Sequence, residues 1–269
     1  MADEETEDTK MPLLDHLVEL RRRLVYSFIA VTVLFFICYY FSAAIYAFLV
    51  QPLADILATM GGNRRMIYTS LHEAFFTYIK VACFAALFLA FPFIASQVWM
   101  FMAPGLYKNE KRAFLPFLVA TPVLFFLGGA LVYYLIFPLA WKFFLGFESA
   151  GGDGTLAIQL EAKVDQYLSL VMQLIFAFGL CFELPVVITL LARAGMVSSA
   201  GLAAKRRYAI VLAFVVAAIL TPPDVISQIG LAIPTILLYE VSILCARLVE
   251  RNRGKASDES EPADESPES

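Results

Sequence analysis

Long apolar runs, each bounded by charged or turn-forming residues, follow one another along most of this 269-residue chain. A helix needs about 20 apolar residues to cross a bilayer, and its backbone polar groups must pair within the segment because lipid offers them no partner. The runs predict six transmembrane helices, which cover residues 24–46, 75–102, 113–137, 164–192, 208–220 and 229–245. The chain is therefore predicted to be an all-α membrane protein.

The last two runs are short and are separated by Thr221-Pro222-Pro223-Asp224. At 1.5 Å per residue, the run 208–220 covers only about 20 Å. It could form a re-entrant pair with the run after it, or the two could be short spans beneath a locally thinned bilayer. We favour two short spans, and we expect Asp224 or Ser227 to cap the second.

Prolines also mark the ends of predicted elements. Pro138 is expected to end the third span, because it cannot continue a helix without losing a hydrogen bond. Pro52 lies in the predicted outward segment 47–74 and could open a short amphipathic helix there. The second outward segment covers residues 138–163, where a glycine-rich stretch predicts a flexible turn.

The basic residues are distributed unevenly between the two sides that six spans create. Fifteen of the 20 lysines and arginines lie before the first span, after the last span, or in the loops 103–112 and 193–207. Cytoplasmic loops of membrane proteins carry such an excess. We therefore expect the N and C termini to be cytoplasmic; a re-entrant pair would leave the C-terminal tail on the same side, so charge does not exclude it.

Composition supports the membrane assignment, because 60% of the residues are apolar and only 16% are charged. A soluble domain is about half apolar and about a quarter charged. The acidic residues are concentrated in residues 1–10 and 251–269, which we expect to be disordered tails because they have little apolar surface to bury. Residues 11–250 then form one membrane domain.

Signals for an enzyme are weak. The chain has two histidines, and neither lies at the spacing of a helical zinc motif. The four cysteines all lie within apolar runs without paired spacing, which is typical of small apolar side chains. We expect no catalytic residue, no metal and no cofactor, and no nucleic acid as a partner.

One amphipathic segment precedes the first span. Leu13, Leu17, Leu20 and Leu24 share one face of a helix, which predicts an interfacial helix in contact with membrane lipid. Glu19 lies on its polar side, where a plain ion pair four residues along the helix would account for it equally well.

Two more carboxylates lie in informative places. Glu110 follows a Pro-Gly turn in the short loop after the second span, and a solvated loop residue is the simpler interpretation. Glu183 lies deep within the fourth span, beside Pro185. A charged group at that depth costs about 2.5–3.5 kcal/mol on insertion scales, so it is expected to face a cavity or partner; a protonated glutamate bonded to a neighbouring helix is the alternative.

Taken together, four segments in the same order resemble the signature motifs of the TatC family, the receptor subunits of twin-arginine protein translocases. The segments are residues 17–24, 97–110, 177–185 and 220–224 with Gln228. The resemblance implies six helices in a concave, glove-like shape and no enzymatic activity. It implies a receptor in the bacterial inner (plasma) membrane that binds the twin-arginine signal peptides of folded proteins. It also implies single-span TatA and TatB-like partners, self-association into multimers, and transport driven by the proton motive force.

The resemblance also implies roles for particular residues. The signal-peptide site would contain Glu19 and Glu110, with Leu13, Arg21 and Phe101 around them. A membrane cavity or partner contact would involve Glu183 and Gln228. Functional positions on the outward side would be Pro52, Asp165 and Asp224.

Two other functions fit the topology less well. A proton-coupled small-solute transporter could use Glu183 as its proton site, but the chain shows no internal repeat and only one deep carboxylate. A purely structural membrane scaffold would lack any peptide-binding site.

Overall fold

The computed structural model describes the backbone of most of the chain. The described backbone covers residues 2–60, 65–106, 115–149, 151, 156–221 and 224–258. Side chains are described for residues 16–59, 65–101, 116–149, 151, 156–221 and 224–251.

The described backbone is almost entirely helical. The helices are α1 (Ala2–Tyr40), α2 (Ser42–Met60), α3 (Glu73–Leu106), α4 (Leu115–Leu131), a π-helical turn (Val132–Ile136), α5 (Phe137–Leu145), α6 (Val164–Phe182), α7 (Leu184–Arg193), α8 (Ser199–Ala204), α9 (Arg206–Leu220) and α10 (Val225–Asp258). Within this part of the chain, extended pairing is limited to two isolated bridges, Ile67 with Lys163 and Ser149 with Ile158. The predicted all-α class is confirmed.

In the part of the chain that the structure describes, six stretches are long and apolar enough to cross a membrane, which is the number predicted. They are His16–Tyr40, Ser42–Thr59, Glu73–Phe101, Pro116–Leu145, Val164–Arg193 and Val225–Arg251. The set differs from the predicted one at two places. The candidate Ser42–Thr59 falls largely in the predicted outward segment, and α9 has only 15 residues. The last predicted span, 229–245, is longer than predicted, because the candidate there runs from Val225 to Arg251. The outward position of α2 and the short span 208–220 stay predictions.

Two predicted boundaries are wrong. The first apolar run breaks at Phe41 rather than ending at residue 46, because α2 starts as a separate helix at Ser42. Pro138 does not end the third span. A π-helical turn precedes it, in which the amide of Phe137 donates to the carbonyl of Val132, and α5 continues to Leu145. A widened turn of this kind absorbs the ring and the missing amide of proline.

The two tails are described only in part. α1 begins at Ala2 and α10 ends at Asp258, so both helices extend beyond the predicted domain limits of 11 and 250. Acidic residues favour the start of a helix because they complement its dipole, which is one reason for the earlier start of α1. The disorder of residues 259–269 stays a prediction.

The chain divides into two compact units, residues 1–178 and 179–269, with the boundary inside α6. In the first unit, α1 packs along α3. Cys38 of α1 is buried with small residues of α3, namely Ala82, Ala85 and Ala86. Small side chains let helix backbones approach closely, and this packing stabilises helix pairs in membranes.

The core of the first unit also contains a group of phenylalanine rings from α3, α4 and α6. Phe125 is fully buried, and its ring lies 3.6 Å from that of Phe91 and 5.0 Å from that of Phe88. Gly129 allows α4 to come close to this group, since a Cβ atom there would lie 2.9 Å from Cζ of Phe88.

In the second unit, α10 packs against α7, α8 and α9. Ser199 at the start of α8 donates its amide and its hydroxyl to the carboxylate of Glu250 on α10. Arg206 at the start of α9 forms an ion pair with Glu240 on α10, with 2.8 Å between Nε and Oε1. These contacts fix the two short helices α8 and α9 against the long final helix.

Candidate functional site

Glu19 lies where α1 meets the last turns of α3. Its Oε1 atom accepts a hydrogen bond of 3.0 Å from Nη2 of Arg23, so the ion pair that the sequence allows is present. The same guanidinium continues to α3, where Nη1 donates to Oε1 of Gln97 at 3.2 Å and contacts Sδ of Met100 at 3.6 Å. Glu19 is thus part of a contact between two helices and not only of a pair on one helix.

Phe101 lies on the same corner. Its ring stacks on the imidazole of His16, with 4.2 Å between the centroids and 19° between the planes. This contact joins α3, near its end, to α1 at His16. Glu19 and Phe101, which the resemblance assigns to one site, are therefore brought to the same end of the α1–α3 pair.

An apolar strip extends from this corner along α1. Leu17 and Leu24 are more than half exposed, and together with Leu20 they line a shallow groove that also contains Arg21 and Phe28. The predicted leucine stripe is confirmed for these three leucines. Two other predicted site residues lie outside the described parts of the chain, since Glu110 falls in residues 107–114 and the side chain of Leu13 is not described.

Glu183 occupies a break between two helices. The predicted fourth span contains a helix break, because α6 ends at Phe182 and α7 starts at Leu184, although residues 164–193 together remain long and apolar enough to cross a membrane. Pro185 in the first turn of α7 has no amide hydrogen and its ring interrupts the preceding hydrogen bonds. The side chain of Glu183 is buried, with only 8% of the residue exposed. The carboxylate predicted within a span is therefore buried at an irregular point of the backbone.

Asp224 caps α10. Its Oδ1 atom accepts the amide of Ser227 at 2.7 Å, which is the arrangement expected of an N-cap residue. This confirms the first of the two capping possibilities. Gln228 follows Ser227 in the first turn of α10 and is half-buried. Glu183, Asp224 and Gln228 all belong to the second unit, in which α7 packs against α10.

Pro52 lies inside α2, so the prediction that it opens a helix is wrong. A proline in a helix cannot donate to the carbonyl four residues before it, which here belongs to Phe48. That carbonyl accepts the hydroxyl of Tyr133 at 2.7 Å, and the two rings stack 4.4 Å apart. The next carbonyl, of Leu49, accepts the hydroxyl of Tyr167 on α6 at 3.2 Å. Two tyrosines thus hold α2 at its proline.

Asp165 lies at the start of α6 and forms an ion pair with Lys80 of α3. Its amide points to Glu73 at 3.4 Å, and the other oxygen of Glu73 accepts the amides of Thr69 and Ser70 at 2.8 and 3.2 Å. These carboxylates border a polar cavity of about 430 Å³. Asp165 and Glu73 therefore connect the segment before α3 to the first turn of α6.

Several of these contacts were not predicted from the sequence. His16, Gln97, Tyr133, Tyr167 and Glu73 make hydrogen bonds or ring contacts at the sites above, but none was singled out. For Tyr133 a signal existed, because a helical proline implies a carbonyl that needs a new donor. For Gln97 the signal was its polar side chain within an apolar span.

Comparison with known proteins decides the family. The family model for the Sec-independent protein translocase protein (TatC) matches residues 15–234. The chain belongs to the TatC family. A protein of this name from Magnetococcus marinus is 56% identical over 92% of this chain and 88% of its own length. The TatC protein of Escherichia coli K12 is 43% identical over 90% of each chain.

A solved structure agrees with the TatC assignment. A crystal structure described as the twin arginine translocase receptor TatC matches with a TM-score of 0.74 and 40% identity, over 88% of this chain and all of that one. As a TatC-family member, the chain is a component of the Sec-independent protein translocase, a transport component with several apolar helices of membrane-spanning length.

Proposed function

We propose that this chain is the receptor subunit that binds twin-arginine signal peptides of folded proteins, with Glu19 as one of the two carboxylates that receive the arginines. The observation that carries the proposal is the position of Glu19. It lies at one corner of α1 and α3, a quarter of its side chain is exposed, and it is next to an exposed apolar strip. A charged acceptor beside an apolar surface matches a peptide with arginines followed by a hydrophobic region.

The charge and shape of arginine explain the choice of two carboxylates. The guanidinium group is a planar fork with five donors, and a carboxylate can accept two of them at once. Two adjacent arginines therefore need two carboxylates on one surface. Glu110 follows α3 in the sequence and is proposed as the second, with Leu13 and Arg21 completing the site.

The hydrophobic region of the signal peptide would lie along α1. Leu17, Leu20 and Leu24 offer a continuous apolar strip, and Phe101 offers a ring at its end. Burial of apolar area contributes about 25 cal/mol per Å², so this strip can supply affinity that does not depend on the arginines. The carboxylates then supply the specificity.

The orientation in the membrane is proposed from the distribution of charge, and the partners and the energy source are proposed from the family. An excess of lysine and arginine in the tails and two loops supports cytoplasmic termini, which places the Glu19 corner on the cytoplasmic side of a bacterial inner membrane. TatA and TatB-like single-span proteins are the proposed partners, with multimers of this chain, and the proton motive force is the proposed energy source.

Buried polar groups are the proposed contacts for those partners. Glu183 is proposed to meet a polar group of a partner helix within the membrane, with Gln228 nearby on α10. Pro52, Asp165 and Asp224 are proposed to act by holding outward-side structure, which agrees with the helix contacts that each of them makes. If Glu183→Ala left site-specific crosslinking to TatA and TatB unaltered, the partner role of Glu183 would be wrong.

Binding of a synthetic signal peptide to the purified protein in detergent tests the proposal. A peptide with Arg-Arg should bind more tightly than the same peptide with Lys-Lys, and Glu19→Ala and Glu110→Ala should each remove most of that preference. Glu161→Ala, at an exposed glutamate remote in sequence, is the control and should leave binding unchanged. Equal binding of the two peptides to the unaltered protein would contradict the receptor function.

A further inference from the structure

Arg23 connects Glu19 to α3, and its contacts suggest a role beyond helix stability. We propose that Arg23 is a positioning residue, which holds the Glu19 carboxylate in the orientation that a signal-peptide arginine requires, and that Gln97 holds Arg23 in turn. The inference rests on the proposed receptor function and assigns to Arg23 and Gln97 a part in its selectivity.

The surroundings of Arg23 differ from those of an ordinary surface ion pair. Only 21% of its side chain is exposed, and Gln97, its partner on α3, is 6% exposed. Its Nε atom is buried and has no hydrogen-bond partner among the described residues. An exposed pair on one helix contributes only tenths of a kcal/mol, and its side chains keep much of their freedom. Here the guanidinium is fixed from both sides.

The contact still leaves Glu19 able to bind another arginine. A carboxylate has about four lone-pair sites on its two oxygens. Arg23 donates one N–H to Oε1, so with respect to the described residues three sites remain for an incoming guanidinium fork. Because the carboxylate is already ordered, the peptide does not have to order it, and binding loses less conformational entropy.

Orientation and charge have opposite effects on the two types of peptide. A freely rotating carboxylate attracts any nearby cation, whereas a carboxylate held in one plane favours a planar fork over the single ammonium of lysine. Arg23 also repels every incoming cation through its own charge. Removing Arg23 should therefore weaken Arg-Arg binding relative to Lys-Lys binding, even if general attraction to cations increases.

The test measures the ratio of affinities for Arg-Arg and Lys-Lys signal peptides on the purified full-length protein. Arg23→Gln should lower this ratio about tenfold, which corresponds to a loss of about 1.4 kcal/mol in the preference of the oriented carboxylate for the planar fork. Arg22→Gln removes the same charge from the exposed neighbouring position and should leave the ratio unchanged. Arg23→Lys, which can reach only one of the two partners at a time, should recover part of the ratio.

A second variant keeps Arg23 and Glu19 intact. Gln97→Leu is of similar size and removes the acceptor on α3, so it should lower the same ratio by a smaller factor. It also provides the test if Arg23→Gln does not yield folded protein by gel filtration. An unchanged ratio in both variants, with a clear Arg-Arg preference in the unaltered protein, would overturn the positioning role alone. Absence of any preference in the unaltered protein would overturn the receptor function and this role together.

Discussion

Replacing Tyr133 with phenylalanine should destabilise the protein, because it removes a hydroxyl that donates to the carbonyl that Pro52 leaves without its helical partner. The hydroxyl of Tyr133 donates to the carbonyl of Phe48 at 2.7 Å, and Tyr133 is buried. The substitution leaves the ring in place, so the stacking on Phe48 at 4.4 Å is retained. The change is therefore confined to one hydrogen bond.

The expected size follows from what a lost bond costs in this setting. A buried acceptor without a partner costs about 1–3 kcal/mol. Side-chain hydrogen bonds between membrane helices have an average of about 0.6 kcal/mol. We expect a loss of about 1 kcal/mol, which for a chain of this length lowers the midpoint of thermal unfolding by roughly 2–4 °C. The assay is thermal unfolding of the purified protein in detergent.

Two further variants isolate the cause. Tyr134→Phe makes the same chemical change at the adjacent residue, which is 70% exposed, and should change stability by less than about 0.5 kcal/mol. Pro52→Ala restores an amide that can donate to Phe48, so in that background Tyr133→Phe should cost less than in the parent. Equal effects of the two tyrosine substitutions, or additive effects of Pro52→Ala and Tyr133→Phe, would mean that the hydroxyl of Tyr133 does not compensate for the amide hydrogen that Pro52 lacks.

Three further predictions concern other contacts, each measured by thermal unfolding in detergent. Asp224→Ala should lose about 1 kcal/mol by removing the cap of α10, while Asp224→Asn should be close to the parent, and equal losses would count against capping. Asp165→Asn should cost less than about 1 kcal/mol, since its ion pair with Lys80 is partly exposed, and a larger loss would mean that the pair is more than a surface contact. Gly129→Ala should cost about 1–3 kcal/mol by crowding Phe88, and an alanine variant as stable as the parent would show that the rings can move aside.

The sequence predicted the class of the fold and most of its long helices because both depend on local properties. Apolar length is set by bilayer thickness, so the spans around α3, α4 and α6 could be located from the residues alone. The helix boundaries at Phe41 and Pro138 could not, since each depends on how the backbone adapts to its neighbours. A π-helical turn before Pro138 has no length or composition signal of its own.

The contacts of the candidate site were harder to predict because their partners are distant in sequence. Arg23 and Gln97 are 74 residues apart, and Tyr133 and Phe48 are 85 apart. The sequence shows that a carboxylate or a carbonyl lacks a local hydrogen-bond partner. Which distant residue supplies that partner depends on which helices pack together. Glu19 illustrates the limit, because its local pair with Arg23 was foreseen and the extension to α3 was not.

Glu19 is proposed to bind an arginine of the signal peptide, and a double-mutant cycle would measure that contact. The cycle combines Glu19→Gln with replacement of the peptide's Arg-Arg by Gln-Gln, and it measures the four dissociation constants on the purified protein. A direct contact predicts a coupling energy of at least about 1.5 kcal/mol, as for close charge pairs across interfaces. The same cycle with Glu161→Gln should show no coupling. A coupling of about 0.5 kcal/mol or less for Glu19 would mean that the arginines bind elsewhere, and would contradict the account.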